Sequence, residues 1–374
     1  MSTQKPTPVP PPSPLRFENG IAHPDLWLWD SWTTQLNGKT HLYSLALSRV
    51  DSAGHQVKES ERNNYPFHIR HFVSSDEGMT WTDEGVFLEP KDIGDGAFAR
   101  NVWSGSILAR PEGGWVCGFT GVREVNALAP FLQTICLASS EDGTRLSTPP
   151  KSALSCPQRD YDEIRAAGYY LAEKDKIGAH DGEEGGPILA WRDPFILEDE
   201  QGKLEVFWSA KVSPARGAVA HATIVQTGDD FRIETLHPPM TLPDDETFTQ
   251  AEVPKVYRDA KAGVYYLIIS ACDRLSETQP ADEVTKKLRL YKAPSIRGPW
   301  ISAFPEQDSV IPGTENLFGA SIMNTDFDAG ILRLIAPYTE YASADLQLTF
   351  PLPVDIQLPQ QSADIAPKTD ADVS

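Results

Sequence analysis

The segment NGKTHLYSLAL, residues 37–47, places an Asn-Gly turn before a run of mainly apolar residues. Asn-Gly strongly favours a tight hairpin turn, and the residues after it favour a strand. Four further segments have the same form, a glycine-containing turn before a short apolar run: GGWVCGFTG (113–121), QGKLEVFWSA (201–210), AGVYYLIIS (262–270) and AGILRLIAP (329–337). The sequence therefore predicts an all-β fold built on repeated hairpins.

The spacing of these turns narrows the architecture. Their glycines, at positions 38, 114, 202, 263 and 330, lie between 61 and 88 residues apart. A unit of that length can hold one four-stranded propeller blade with long loops. Five such units predict a five-bladed β-propeller. An irregular β-sandwich would contain the same hairpins and remains the alternative on these patterns alone.

Composition excludes several classes of protein. The chain has 374 residues and a net charge of −20, with 40% hydrophobic residues and nine Trp, which is enough apolar material for a large core. An acidic surface disfavours nucleic acid and anionic lipid. The sequence lacks the ~18 consecutive apolar residues that a membrane helix needs. We therefore expect a globular protein whose partners are small molecules, with no nucleic acid and no membrane.

The two ends differ from the rest of the chain. Residues 1–14 are proline-rich and residues 359–374 are polar without periodicity, so both are predicted as disordered tails around one domain at 15–358. The N-terminus lacks the apolar core of a Sec-type signal peptide, which makes the cytoplasm the default expectation and unconventional export the alternative. Residues 158–176 have helical composition and predict a short helix in a long loop.

Two further patterns predict structural roles. The four cysteines form no C-x-x-C pair, which argues against a zinc site and favours four buried free thiols. SSDEGMTW (74–81) matches the Asp-box turn, in which Ser and Asp side chains fix a hairpin and the Trp packs beneath it.

Asp30 is the first candidate for chemistry. It lies in LWLWDSW (26–32), flanked by Trp29 and Trp32. Burying a carboxylate beside indole rings is costly unless the carboxylate is paired or used, and a Trp face also suits a sugar ring. A structural Asp that caps a turn between two core Trp residues explains the string equally well.

Two more carboxylates have unusual neighbours. In WRDPF (191–195), Asp193 follows Arg192, a permanent cation that should hold it ionised. Glu252 lies in QAEVPKV (250–256), and an apolar setting favours the protonated carboxylic acid that a general acid needs. The alternatives are an ordinary Asp-Pro turn and an outward-facing residue of a strand.

Together the three residues fit one mechanism. Retaining glycoside cleavage uses a carboxylate nucleophile and a carboxylic acid on either side of the scissile bond. A third carboxylate can bind sugar hydroxyls and stabilise positive charge in the transition state. Strands of different blades that converge on one funnel would bring positions 30, 193 and 252 together.

Four separated motifs resemble, in order and approximate spacing, those of glycoside hydrolase family 68. That family contains the levansucrases, inulosucrases and related β-fructofuranosidases, with the pattern W-D-[TS]-W, W-S-G-S, F-R-D-P and E-R-P. The matching motifs here are LWDSW (28–32), NVWSGS (101–106), WRDP (191–194) and TQAEVP (249–254). Further similarity at GYYLAEKDK (168–176) and LRLYKAPSIRGPW (288–300) extends the resemblance over roughly residues 20–340.

The resemblance implies a five-bladed propeller with an axial active site and assigns a role to each matching residue. It implies Asp30 as nucleophile, Asp193 as transition-state stabiliser and Glu252 as general acid/base. The substrate-binding residues it implies are Trp29 and Trp103 as walls of the fructosyl subsite, Ser104 beside the nucleophile, Arg192 on the sugar hydroxyls, Gln250, and Arg274 towards the leaving group.

The chain departs from the family beside Glu252. Val253 stands where the pattern has arginine, and Thr249 stands where it has aspartate. The fructosyl subsite therefore looks intact, while the subsite for the leaving group looks altered.

The resemblance implies a retaining β-fructofuranosyl enzyme acting on sucrose, transferring fructosyl to a sugar acceptor as a levansucrase does, or to water. No cofactor or metal is expected, because the chemistry needs none and no loop clusters acidic Ca²⁺ ligands. The alternatives are a hydrolase of another furanoside in a related propeller family and a propeller that binds sugar without cleaving it. A sialidase, suggested by the Asp box, lacks a tyrosine in a supporting motif.

Overall fold

A computed structural model of the chain describes residues 14–110, 113–179, 188–276, 279–338, 341–342, 345–346 and 348–359. The predicted tails at 1–14 and 359–374 lie outside these residues, apart from Pro14 and Pro359. The boundaries of the domain at 15–358 stay a prediction.

Antiparallel strands form five blades around one axis. Blade 1 contains β1 (Arg16–Glu18), β2 (Leu26–Leu36), β3 (Lys39–Ser48), β4 (His68–Ser74) and β5 (Thr80–Leu88), and blade 2 contains β6 (Asn101–Ala109), β7 (Trp115–Arg123) and β8 (Leu132–Ser140). Blade 3 contains β9 (Arg192–Glu198), β10 (Leu204–Ser213), β11 (Arg216–Thr227) and β12 (Asp230–Leu236). Blade 4 contains β13 (Gln250–Asp259), β14 (Val264–Cys272), β15 (Lys286–Ala293) and β16 (Ile301–Ser302).

Blade 5 contains β17 (Ser321–Asp326), β18 (Ile331–Ile335) and β21 (Val354–Gln357), with the short pair β19 (Tyr341–Ala342) and β20 (Asp345–Leu346) between them in the chain. Helical segments are brief: α1 (Tyr161–Ala166) and 3-10 turns at Glu59–Asn64, Lys174–Lys176, Asp245–Thr247, Ala281–Glu283 and Pro305–Gln307. Within the described residues, no helix combines the length and apolar character needed to cross a bilayer.

The five predicted hairpins are the first hairpin of each blade. The apolar run after each turn becomes the second strand of its blade, namely β3, β7, β10, β14 and β18. The turn glycines have positive φ, from 65° to 78°, a backbone region that side chains with a Cβ rarely adopt. The five-bladed prediction is confirmed. The sandwich alternative is wrong, because the strands form five sheets around an axis instead of two stacked layers.

The first strand of each blade lies nearest the axis. β2, β6, β9 and β13 contact one another in that order, and β17 contacts β2. Ile322 N–H on β17 donates to Tyr257 Oη on β13 at 3.0 Å, which joins blades 4 and 5. Backbone hydrogen bonds join the two ends of the propeller: the Ile21 and Phe350 amides donate to each other's carbonyls, and Leu28 N–H donates to the Leu348 carbonyl. The axis is therefore surrounded by strand ends from all five blades.

The apolar core is divided among the spaces between blades. Phe207 of blade 3 packs with Leu267 of blade 4, Ile268 of blade 4 with Ile322 of blade 5, and Leu28 of blade 1 with blade 5. The largest cluster joins blades 1, 2 and 3. Because burying a large apolar side chain contributes about 1.5–3 kcal/mol, these interfaces hold the ring together and leave the axis free for polar groups.

The predicted structural patterns are confirmed. In the Asp box, Ser74 Oγ donates to Asp76 Oδ1 at 2.8 Å, Thr80 N–H donates to the same oxygen at 2.9 Å, and Trp81 is buried. All four cysteines are buried free thiols. The short helix predicted in the loop at 158–176 is Tyr161–Ala166, packed through Ile164.

Candidate active site

Breaks in strand register place the candidate residues at one level of the funnel. The pairing of each inner strand with the second strand of its blade is interrupted at one point in blades 1 to 4. A β-bulge of this kind re-aims a side chain out of the ladder and is common beside active sites. The interrupted positions are Trp29 and Asp30 on β2, Ser104 on β6, Asp193 and Pro194 on β9, and Val253 and Pro254 on β13.

Two of these bulges are strained. Asp193 has φ 65° and Val253 has φ 48°, in the left-handed region that non-glycine residues avoid. A proline follows each of them and, having no N–H, fits a strand only at an edge or a bulge. Such strain persists where the surrounding structure over-determines it, which is typical of functional sites.

One pocket of about 750 Å³ opens at this level. Seven of the nine predicted site residues line it: Trp29, Asp30, Trp103, Ser104, Arg192, Asp193 and Glu252. Six residues that the motifs did not indicate also line it: Leu45, Arg62, Asn63, Phe67, Gln133 and Ile188. The structure therefore brings the three carboxylates of three blades into one cavity.

Asp30 is held by a short hydrogen bond. Ser104 Oγ donates to Asp30 Oδ2 at 2.5 Å. Burial raises the pKa of the Asp30 carboxyl, the Ser104 bond opposes that rise, the Glu252 charge adds to it, and the charges of Lys255 and Arg192 oppose it. The hydrogen bond fixes Oδ2, and the Asp30 carboxylate lines the pocket, so it can attack a ligand there.

Asp193 is fixed from two blades. Its N–H donates to Thr120 Oγ1 at 2.7 Å, and its Oδ2 accepts from Val253 N–H at 3.2 Å. Arg192 favours ionised Asp193, in the expected direction. Burial outweighs this effect and, with the charges of Asp30 and Glu252, raises the pKa of Asp193 above its ordinary value.

Arg192 links the carboxylates. Its Nη2 lies 3.4 Å from Glu252 Oε1, and its Nε lies 3.6 Å from Asp193 Oδ2. Nη1 donates to the Leu189 carbonyl at 3.1 Å, and Nη2 donates to Gln250 Oε1 at 3.3 Å. These contacts fix the guanidinium plane between Asp193 and Glu252.

Glu252 is more accessible than Asp193, with 22% of its side chain exposed against 4%. Besides Arg192, the Cys272 thiol faces it and donates to Oε1 at 3.6 Å. This position at the edge of the cavity suits a group that must exchange protons with a leaving group and an incoming acceptor.

Gln250 and Arg274 lie outside the set of described residues that line the pocket. Gln250 is fully buried, accepts from Arg192 and donates from Nε2 to the Arg274 carbonyl at 3.4 Å. Its geometry fits support of Arg192 better than contact with a ligand.

Aromatic rings form part of the wall. Trp29 packs edge-to-face on Phe67 at 5.3 Å between ring centroids, and Trp103 stacks near Phe131 at 6.5 Å. Both Trp residues are only partly buried and so present surface to the cavity. Flat, rigid walls of this kind suit the apolar face of a sugar ring.

The residues missed by motif analysis come from loops, from β3 of blade 1 and from the outer strand of blade 2. Arg62 and Asn63 belong to the 3-10 turn Glu59–Asn64 between β3 and β4, and Ile188 follows residues 180–187. Gln133 on β8 accepts from Trp191 N–H at 3.1 Å and so positions the segment before Arg192. No spacing rule in the sequence connects these residues to the funnel.

Gly319 has no side chain where one would collide with Asp30. A Cβ at this position would lie 2.4 Å from Asp30 Oδ1, and its φ is +64°. We expect Gly319→Ala to lower kcat/KM by about 100-fold, because a displacement near 1 Å at a reacting group has that order of effect.

Gly313→Ala is the matched control for this substitution. Gly313 has a similar φ of +73°, and no atom lies within 4 Å of its hypothetical Cβ. Steady-state kinetics and thermal unfolding of both variants separate backbone strain from displacement of Asp30. Wild-type kcat/KM in Gly319→Ala would contradict the placement of Asp30 at the reacting centre.

Among the described residues, one cluster brings three possible metal ligands together: Glu205, His221 and His237 in blade 3. His221 Nε2 lies 2.7 Å from Glu205 Oε2, and Thr223 Oγ1 bonds both Glu205 and His237 Nε2. Two imidazoles do not suit Ca²⁺, which prefers oxygen ligands. The cluster fits a hydrogen-bond network that joins β10, β11 and residue 237.

Comparison with known proteins supports the predicted propeller fold. No protein-family profile matches the sequence, and no curated protein sequence matches it. Solved structures do match. An inulosucrase from Halalkalicoccus jeotgali, bound to kestose, is 21% identical with a TM-score of 0.64, covering 96% of this chain and 91% of that one.

Two other solved structures show the breadth of the similarity. Bacillus subtilis levansucrase is 13% identical with a TM-score of 0.59, covering 92% of this chain and 86% of that one. A GH43 β-xylosidase/α-arabinofuranosidase from a compost metagenome is 13% identical with a TM-score of 0.58, covering 91% and 94%. At these identities the matches show a shared propeller fold.

Proposed function

We propose that this protein is a retaining β-fructofuranosyl enzyme that acts on sucrose. The observation that carries the proposal is one pocket in which Asp30, Asp193 and Glu252 converge around Arg192, with Trp29 and Trp103 as walls. The inulosucrase and levansucrase that share the fold support a fructosyl donor for such a site.

In the proposed reaction, an oxygen of Asp30 attacks C2 of the fructosyl unit while the bond from C2 to the glucose oxygen breaks. Glu252 gives its proton to that oxygen, and glucose leaves. An acceptor hydroxyl or water then attacks C2 as Glu252 takes the proton, and Asp30 is released as a carboxylate. Asp193 and Arg192 bind the sugar hydroxyls. No cofactor takes part in this scheme.

The leaving-group side of the pocket is proposed to differ from that of levansucrases. Val253 replaces the arginine of the family pattern, and its side chain is buried, so it cannot contact a sugar. Arg62 and Asn63 line the pocket from blade 1 instead. We propose that these two residues contact the leaving group or the acceptor.

Product analysis tests the proposal. The purified protein is incubated with sucrose, and glucose, fructose and longer saccharides are separated over time, with Asp30→Asn as the blank. Glucose in excess of free fructose, with oligosaccharides, indicates transfer, and equal glucose and fructose indicates hydrolysis. Either result supports a β-fructofuranosyl enzyme.

The similarity to the GH43 enzyme favours a second candidate, cleavage of an arabinofuranoside or xyloside. The same assay with aryl α-arabinofuranoside and β-xyloside distinguishes it. Turnover of those substrates without turnover of sucrose would replace the first proposal. Sugar binding by calorimetry without turnover of any substrate would leave a binding propeller.

A further inference from the structure

Lys255 is a buried lysine for which the proposed mechanism has no role. It lies on β13, three residues after Glu252, and its residue surface is 1% exposed. Its Nζ donates to the Ala320 carbonyl at 2.6 Å and lies 3.4 Å from the Val253 carbonyl. Both of these oxygens belong to neutral groups, and burial favours the neutral amine of a lysine. The groups that favour its protonated form are therefore charged groups further away.

The anchor of Lys255 adjoins the backbone that contacts Asp30. Ala320 follows Gly319, whose carbonyl accepts from Ser31 N–H at 3.2 Å and where an added Cβ would lie 2.4 Å from Asp30 Oδ1. The ammonium group is therefore fixed to the same turn that lies behind Asp30. The charges of Asp30 and Asp193 both act on Lys255 and favour its protonated form.

Charged groups face this region from three blades. Asp30 lies on β2, Asp193 and Arg192 on β9, and Glu252 on β13 with Lys255 itself. Blade 5 contributes the neutral Ala320 carbonyl. Of the two cations that favour ionised Asp30, Lys255 has the larger effect and Arg192 the smaller. Arg192 is also shared with Asp193 and Glu252.

A second buried lysine acts elsewhere in the site. Lys211 on β10 is buried, and its Nζ donates to the Pro214 carbonyl at 2.7 Å. Its charge interacts with Arg192, Cys272 and Glu252. The two lysines therefore serve different carboxylates, and Lys211 offers a matched control for the loss of one buried charge.

We propose that Lys255 is a positioning residue whose ammonium group, anchored on the Ala320 carbonyl, supplies positive charge that favours ionised Asp30. The inference rests on the proposed function, in which Asp30 is the nucleophile. Without Lys255, the Ser104 hydrogen bond and an arginine shared with Asp193 and Glu252 remain to favour ionised Asp30, and proton uptake by Asp30 becomes more favourable.

The sign of the pH effect follows from the charge. Lys255→Met removes a cation, which raises the pKa of Asp30 and moves the acid limb of kcat/KM to higher pH. Burial lowers the pKa of Lys255 to about 7, so its charge is present mainly below that pH. The variant should therefore lose most activity relative to wild type below pH 7 and approach it at higher pH. A purely structural loss would be independent of pH.

The decisive experiment follows the Asp30 carboxyl directly. Infrared difference titration of the folded protein, with Asp30→Asn to assign the band, gives the ionisation of Asp30 without any substrate. We expect Lys255→Met to raise the midpoint pH of the Asp30 titration by about one unit or more. Lys255→Arg and Lys211→Met should leave that midpoint near the wild-type value. An unchanged Asp30 titration in Lys255→Met overturns the inference.

Two further measurements make the outcome interpretable. Thermal unfolding identifies variants that do not fold. If Lys255→Met does not fold, a raised midpoint pH of Asp30 in the charge-conserving Lys255→Arg overturns the inference. The pH profile with a fructosyl donor tests the consequence for catalysis. If wild type turns over no fructoside, the proposed function fails, while the infrared titration still decides the role of Lys255.

Discussion

Asp30→Asn is expected to lower kcat for sucrose by about 10⁴-fold or more while the fold stays intact. Asn keeps the shape of Asp and can still bond Ser104 Oγ, which lies 2.5 Å from the Asp30 carboxyl, but it cannot form the covalent bond to C2. Losses of this order follow removal of a nucleophile in other enzymes.

The same substitution should leave stability unchanged or increase it. Because burial raises the pKa of Asp30 in the folded protein, ionised Asp30 destabilises the fold above that pKa. The neutral amide removes this cost at pH 7. Thermal unfolding tests the sign, and the exposed, nearby Asp25→Asn is the control expected to keep wild-type activity. An unfolded Asp30→Asn variant would make Asp30 a structural carboxylate and contradict the assignment.

Glu252→Gln is expected to have an effect that depends on the leaving group. With sucrose, kcat should fall by about 10²–10⁴-fold, the usual worth of general acid–base catalysis. With an aryl β-fructofuranoside, whose phenol leaves without a proton, the first turnover should stay fast. The next step still needs Glu252 as base, so a burst of phenol equal to the enzyme concentration should precede a slow steady state.

Stopped-flow absorbance at the phenol band checks this prediction. Glu246→Gln, an exposed neighbour on the Asp245–Thr247 turn, is the matched control and should behave as wild type. Equal losses with sucrose and the aryl donor, without a burst, would show that Glu252 does not act on the leaving group.

The fold could be predicted from the sequence because the hairpin that each blade repeats is encoded by neighbouring residues. The first hairpin of each blade has a tight turn whose glycine has positive φ, and each turn precedes an apolar second strand, as at Gly38 before β3 and Gly263 before β14. Turn chemistry and strand composition are properties of neighbouring residues, so both can be read without contacts. The short helix Tyr161–Ala166 could also be predicted, because it ends just before Gly168, whose φ is 102°.

The site residues could be predicted from the sequence only where they lie next to each other in motifs. Asp30 beside Trp29 and Asp193 beside Arg192 could be selected by their neighbours. Arg62 and Gln133 reach the pocket through the arrangement of a loop and a strand outside the motifs, which no local pattern encodes. The effect of Arg192 on Asp193 could be predicted because the two are neighbours in sequence, whereas the opposing effects of burial and of two carboxylates from other blades could not.

The covalent intermediate is the most direct test of the account. Glu252→Gln, mixed with an aryl β-fructofuranoside and quenched in acid during the slow phase, is digested and analysed by mass spectrometry. The account predicts that the peptide containing Asp30 gains the mass of one fructosyl unit and that tandem fragmentation places it on Asp30. A released phenol burst with unmodified peptides, or with the fructosyl unit on another residue, would contradict Asp30 as the nucleophile.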